Sequence, residues 1–88
     1  MSDKDLERLM KAFANGRRIL IMRYIRKSKE ASVTEIAKEI RLSFRATSKH
    51  LSILSGANVL EKEQRGLQIF YRVASNLSSP AVKILSLV

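Results

Sequence analysis

The chain has 88 residues, 45% hydrophobic and 28% charged, which suits one small globular domain, residues 1–88, of limited intrinsic stability. It holds no Cys, which excludes disulfides, thiolate zinc sites and cysteine nucleophiles, and extra stability is then expected from a partner subunit. Seventeen Lys and Arg against eight Asp and Glu give a formal charge of +9, so the chain attracts polyanions, either nucleic acid or an anionic membrane surface.

In chain order, Asp3 or Asp5 can start a helix over 3–14, with Leu6, Leu9, Met10 and Phe13 at helical spacing. Asn15-Gly16 breaks it, and Asn15 is well placed to cap a second helix over 16–29. That helix carries Ile19, Leu20, Ile21, Met22, Tyr24 and Ile25, too many apolar residues for one face, so burial on more than one side is expected. Its end is basic, at Arg23, Arg26, Lys27 and Lys29, where cations suit the helix dipole and fraying is expected.

The stretch SVTE, Ser32 to Glu35, reads as a capping box opening a short helix over 33–40. Arg41-Leu42 make a tight connection, and Ser43 caps a further helix over 44–57. This is the spacing of a helix-turn-helix. In its second helix Thr47, Leu51, Leu54 and Ala57 form a buried face, while Arg45, Lys49 and Ser52 lie opposite with Phe44 and Ser48 beside them. Asn58 suits the left-handed conformation that ends a helix.

Residues 59–73 then read as a β-hairpin: a strand from Val59 to Gln64, a turn at Arg65-Gly66, and an alternating strand from Leu67 to Val73. Ser78 or Ser79 caps a last, very apolar helix over 79–87, with Pro80 at its first position. No stretch approaches the ~20 apolar residues needed to cross a bilayer, and no basic leader precedes an apolar run. A cytoplasmic, nucleoid-associated protein without membrane contact is the expectation.

This order, mainly α with a small β-hairpin wing (α+β), looks like a winged helix-turn-helix. The stretches KAFANGRRILIMRYI and ASVTEIAKEIRLSFRATSKHLSILSGANVLEKEQRGLQIFYRV resemble the arsenic-repressor (ArsR) family of transcription regulators from about Leu6 to Val73. The resemblance implies a homodimer on double-stranded operator DNA, acting as a transcriptional regulator, a repressor. It implies the second motif helix in the major groove, the wing on the flanking backbone, and dimer contacts from the first and last helices. Family metal sites use Cys in the first motif helix, or Asp, His and Glu in the end helices. Here there is no Cys, the single His is His50, and the last helix has no acid, so no metal and no cofactor are expected. Gly16 stands where the family often has Pro, Arg41 where it often has Gly, and Glu61 and Glu63 where basic residues are common.

The candidate DNA-binding residues are Arg41, Ser43, Phe44, Arg45, Ser48, Lys49, Ser52, Lys62, Gln64, Arg65 and Gln68. No acid lies between Ile40 and Leu60, so nothing nearby in sequence neutralises Arg41, Arg45 and Lys49. Arginine suits a guanine edge, lysine a base or a phosphate, and the serines a phosphate. Phe44 is open to two readings, a contact with a thymine methyl or a residue tucked back onto the helix start. Arg65 is likewise divided between DNA and a solvated hairpin tip, His50 reads as structural, and Leu67 at the tip has no account. Leu6, Met10, Val82 and Leu85 are the dimer-interface candidates. Nothing resembles a nucleophile–base pair, a phosphate-cradling glycine loop or a metal-ligand cluster, so the chain is not read as an enzyme. The alternatives are a winged-helix protein-interaction module or a non-specific nucleic-acid-binding protein.

Overall fold

The computed structural model describes residues Met1–Val88. Five helices surround a short antiparallel sheet: α1 (Asp3–Phe13), α2 (Gly16–Ser28), β1 (Glu30–Ser32), α3 (Val33–Ile40), α4 (Phe44–Gly56), β2 (Leu60–Arg65), β3 (Gln68–Val73) and α5 (Ser79–Leu85). This is the winged helix-turn-helix architecture expected from the sequence. No helix is long and apolar enough to cross a membrane.

Every helix begins on a side-chain cap. Ser2, rather than Asp3 or Asp5, caps α1, its Oγ accepting from the Asp5 N–H at 3.1 Å; the two acids sit in the first turn, where they suit the dipole. Asn15, Ser32, Ser43 and Ser78 cap the other four, which settles the choice at α5 in favour of Ser78 and puts Ser79 ahead of Pro80. The capping box at Ser32 is complete, because the Glu35 carboxylate also accepts from the Ser32 N–H at 2.9 Å. Both motif helices end on a left-handed residue, Arg41 at φ 55 and Asn58 at φ 62, followed by an amide that reaches back five residues. Helices α1, α2, α4 and α5 stop one or two residues short of the expected ends.

The core lies between the helices and one face of the sheet. Helix α2 runs through it with Ile21, Met22 and Ile25 wholly buried, while Leu20, on the far side, is exposed. The basic end of α2 does not fray: the Arg26 guanidinium donates to the Leu85 carbonyl at 2.8 Å and ties down α5. Arg17 does the same for α3 through the Ile40 carbonyl at 3.0 Å. Arg18 takes the end of α1, donating to Ala12 and Lys11 carbonyls at 2.7 and 3.2 Å. One helix therefore satisfies the orphan carbonyls at the C-termini of three others.

The sheet has three strands in the order β1-β3-β2, one more than the hairpin expected. Strand β1 is three residues long and merges into the Ser32 cap, so it offers no alternation to read. The turn is also shifted by one residue. Arg65 pairs with Gln68, which leaves Gly66-Leu67 as the two-residue loop. A positive φ of 63 at Gly66 and none at Leu67 fits a type II′ hairpin turn, which takes Gly first.

Candidate nucleic-acid interface

Helix α4 is anchored by Thr47, Leu51 and Leu54 and turns its other side outward. Arg45, Lys49 and Ser52 are exposed on that outer side, one turn or so apart, with Ser48 half-buried at the edge. No carboxylate pairs with Arg41, Arg45 or Lys49. Ser43 presents its hydroxyl at the helix start while accepting from the Ala46 N–H at 3.1 Å. Phe44 is not tucked back: it stands 60% exposed at the first helical position. Arg41, just outside the helix, is exposed as well.

His50 is structural. Its Nδ1 lies 3.2 Å from Arg18 Nη1, and a guanidinium only donates, so the imidazole is neutral with its proton on Nε2. Burial, and then the charges of Arg18, Arg17 and Lys49, hold its pKa below the ordinary histidine value.

The wing differs from the sequence expectation in how its charges are used. Cross-strand register puts Glu61 beside Arg72 and Glu63 beside Phe70, and β1 adds Glu30 opposite Arg72. On that face Arg65 bonds Glu30 at 2.7 Å and Glu63 at 2.8 Å, while lying 4.5 Å over the Phe70 ring. Arg72 bonds Glu61 at 2.9 Å and Glu63 at 3.3 Å. The Arg65 guanidinium beside Glu63 holds that carboxyl below the usual carboxylate range, and the carboxylates in turn raise both arginines. Arg65 is thus part of an ionic ladder rather than a free cation at the tip. Lys62, Gln64 and Gln68 are exposed; Gln64 donates to the Gly66 carbonyl at 3.3 Å.

Of the four interface candidates, Leu6, Met10 and Val82 are 38%, 57% and 52% exposed, respectively. Leu85 is not available: it is 8% exposed and belongs to its own protomer's core, because α5 folds back against α1 and α2. Leu20 and Leu87 are exposed apolar residues outside those candidates; Leu20 was expected to be buried with the rest of α2, and Leu87 was not singled out. The sequence signal for Leu87 was its place in the apolar last segment, but without the end of α5 at Leu85 its direction was not readable.

Comparison with known proteins places this geometry among others. Residues 15–62 match the family model described as bacterial regulatory protein, arsR family. The transcriptional repressor PagR of Bacillus anthracis is 30% identical over 86 residues, 98% of this chain and 86% of that protein. A homodimeric winged helix-turn-helix DNA-binding domain from Mycobacterium bovis, solved by NMR, superposes with a TM-score of 0.80 at 26% identity, covering 99% of this chain and 82% of the other. NolR from Sinorhizobium fredii gives a TM-score of 0.80 at 30% identity, over 96% of this chain and 80% of NolR.

Proposed function

The chain belongs to the ArsR family of bacterial regulatory proteins, and from that premise we propose that it is a transcriptional repressor that binds double-stranded operator DNA as a homodimer. The observation that carries this reading is the outer side of α4. Arg45 and Lys49 project from it without acid partners, on a helix whose opposite side is fully buried and so holds them rigidly. Such a helix fits the major groove, with Arg45 on a guanine edge and Lys49 on a base or phosphate. Ser43, Ser48, Ser52 and Arg41 then meet phosphates at its rim. Lys62, Gln64 and Gln68 are the wing groups left for the flanking backbone.

The similar repressor from Bacillus anthracis and the homodimeric domain from Mycobacterium bovis support the regulatory and dimeric parts of the reading. A homodimer that reads two half-sites would set its two copies of α4 on the order of 34 Å apart, one turn of DNA. Acting on chromosomal DNA would place the protein with the nucleoid.

Selection of bound DNA from a random pool at moderate salt tests the proposal. The expected outcome is a palindromic site with half-sites about one helical turn apart. Arg45→Ala should then cost about 1–3 kcal/mol on that site and little on random DNA. Enrichment of no sequence, with affinity lost uniformly as salt rises, would identify a non-specific binder instead.

A further inference from the structure

Helix α2 carries one more apolar stripe than the core consumes. Ile21, Met22 and Ile25 point inward, yet Leu20 is 46% exposed and Tyr24 half-buried on another side of the same helix. Leu20, Arg23, Tyr24 and Lys27 stand at i, i+3, i+4 and i+7, so they share one face. With Glu39 and Ile40 from the end of α3 they line a cleft of about 530 Å³. That size falls within the roughly 300–1,000 Å³ of sites that hold a small organic molecule. Its charges narrow the class of molecule. Arg17, Arg18 and Arg26 all donate to carbonyls at helix ends, whereas Arg23 and Lys27 are exposed and no carboxylate pairs with either. Glu39, on the α3 wall, likewise takes part in no ion pair. Two cations against one carboxylate leave a single positive charge in excess beside an apolar floor. One negative head on an apolar body satisfies both features, while a dianion would meet Glu39.

We propose that this cleft binds an amphipathic organic monoanion, a carboxylate on an apolar body, and that filling it weakens the hold on DNA. The body lies against Leu20, Tyr24 and Ile40, and the head meets Arg23 and Lys27. Ile40 closes α3, and its carbonyl is the one that Arg17 holds. Arg23 and Lys27 also border a hollow shared with Arg26 and Val88, beside the bond from Arg26 to Leu85 that ties down α5. The site thus touches both the reading side and the subunit side of the protomer. The sign of the coupling follows from charge. Each bound anion cancels one unpaired cation on a chain of net +9, and attraction to a polyanion falls. The site itself is independent of the DNA-binding reading; the coupling rests on it.

Decanoate is the probe, titrated into the isotope-labelled full chain and followed by amide NMR shifts. Acetate lacks the body and decanol lacks the charge. Decanoate should saturate at one per subunit, with its shifts concentrated on α2 from Leu20 to Ser28 and at the end of α3. Acetate and decanol should each bind roughly tenfold more weakly. Arg23 and Lys27 are exposed, so Arg23→Gln with Lys27→Gln should fold, which thermal melting verifies. This double variant should keep wild-type affinity for DNA and lose roughly tenfold in affinity for decanoate; Leu20→Ser should lose a similar factor. At fixed ionic strength decanoate should weaken binding to the selected operator several-fold, and operator should weaken decanoate by the same factor. Shifts centred on α1 and α5, decanol bound as well as decanoate, or undiminished decanoate affinity in the double variant would overturn the site. So would a double variant that already binds DNA weakly, since the two cations would then be phosphate contacts. A Leu20→Ser protein with altered subunit association in sedimentation would overturn it too, because the stripe would be a contact between copies. Binding in the cleft with operator affinity unchanged would overturn the coupling and leave the DNA-binding reading standing. A chain that selects no operator fails that reading instead, and the shifts then decide the cleft alone.

Discussion

Thr47 buries its hydroxyl completely in α4, and Oγ1 finds no hydrogen-bond partner. A buried polar atom left unpaired is penalised, whereas an apolar group of the same shape is not. Thr47→Val keeps the branched outline and should raise stability by about 1 kcal/mol, visible as a higher urea midpoint with an unchanged slope. Arg41 presents the opposite case. Its left-handed φ of 55 disfavours any residue with a Cβ. Arg41→Gly should relieve strain of about 1 kcal/mol and so hold or raise stability, yet weaken binding to specific and random DNA alike. The salt slope should fall by roughly one unit, as expected for one lost phosphate contact. Equal salt slopes for wild type and Arg41→Gly would remove Arg41 from the interface.

At the scale of elements, α2 is where sequence and structure part furthest. Its sequence reads as a helix with a basic, fraying end, where cations merely suit the dipole. In the fold Arg17, Arg18 and Arg26 are structural, each closing the end of another helix. Arg18 is the one with three acceptors, Ala12 and Lys11 carbonyls and His50 Nδ1, spread over a planar fork. Arg18→Lys keeps the charge but not the fork, and should lose about 2 kcal/mol of stability in urea titration with little change in salt slope on DNA. The helix starts, by contrast, were legible, because Asn15, Ser32, Ser43 and Ser78 announce them through local chemistry. So was the outward side of α4, which follows from the spacing of Thr47, Leu51 and Leu54. What local pattern cannot carry is a partner far along the chain. The bond from Arg26 to Leu85, the pairing of Glu30 with Arg65, and the brief strand β1 all depend on residues more than thirty positions apart. The same blindness put Leu85 on an outer surface: its apolarity was plain, but not that α5 turns it inward.

For the whole molecule, Met10 on α1 and Val82 on α5 are exposed apolar residues on two helices that pack against each other, and are the candidates for a surface between subunits. Buried in a homodimer, that surface makes apparent stability depend on protein concentration. Val82→Glu with Met10→Glu should yield a monomer in sedimentation at micromolar concentration, with DNA affinity reduced at least a hundredfold because one half-site no longer recruits the other. A double variant that stays dimeric would move the interface elsewhere on the protomer. The three arginine grips of α2 have a mechanical meaning in such a dimer. They bind the ends of α1 and α5, on the subunit side, and of α3, on the reading side, to a single rod. A protomer tied in this way has little freedom to flex inside itself, and the soft coordinate is the angle between the two rods. With the joint midway between half-sites roughly 34 Å apart, a change of about 10° displaces one reading helix by about 3 Å, nearly one base-pair step. A signal therefore needs to rotate only the joint between molecules to lift both helices out of phase with the grooves, and nothing within either subunit has to bend.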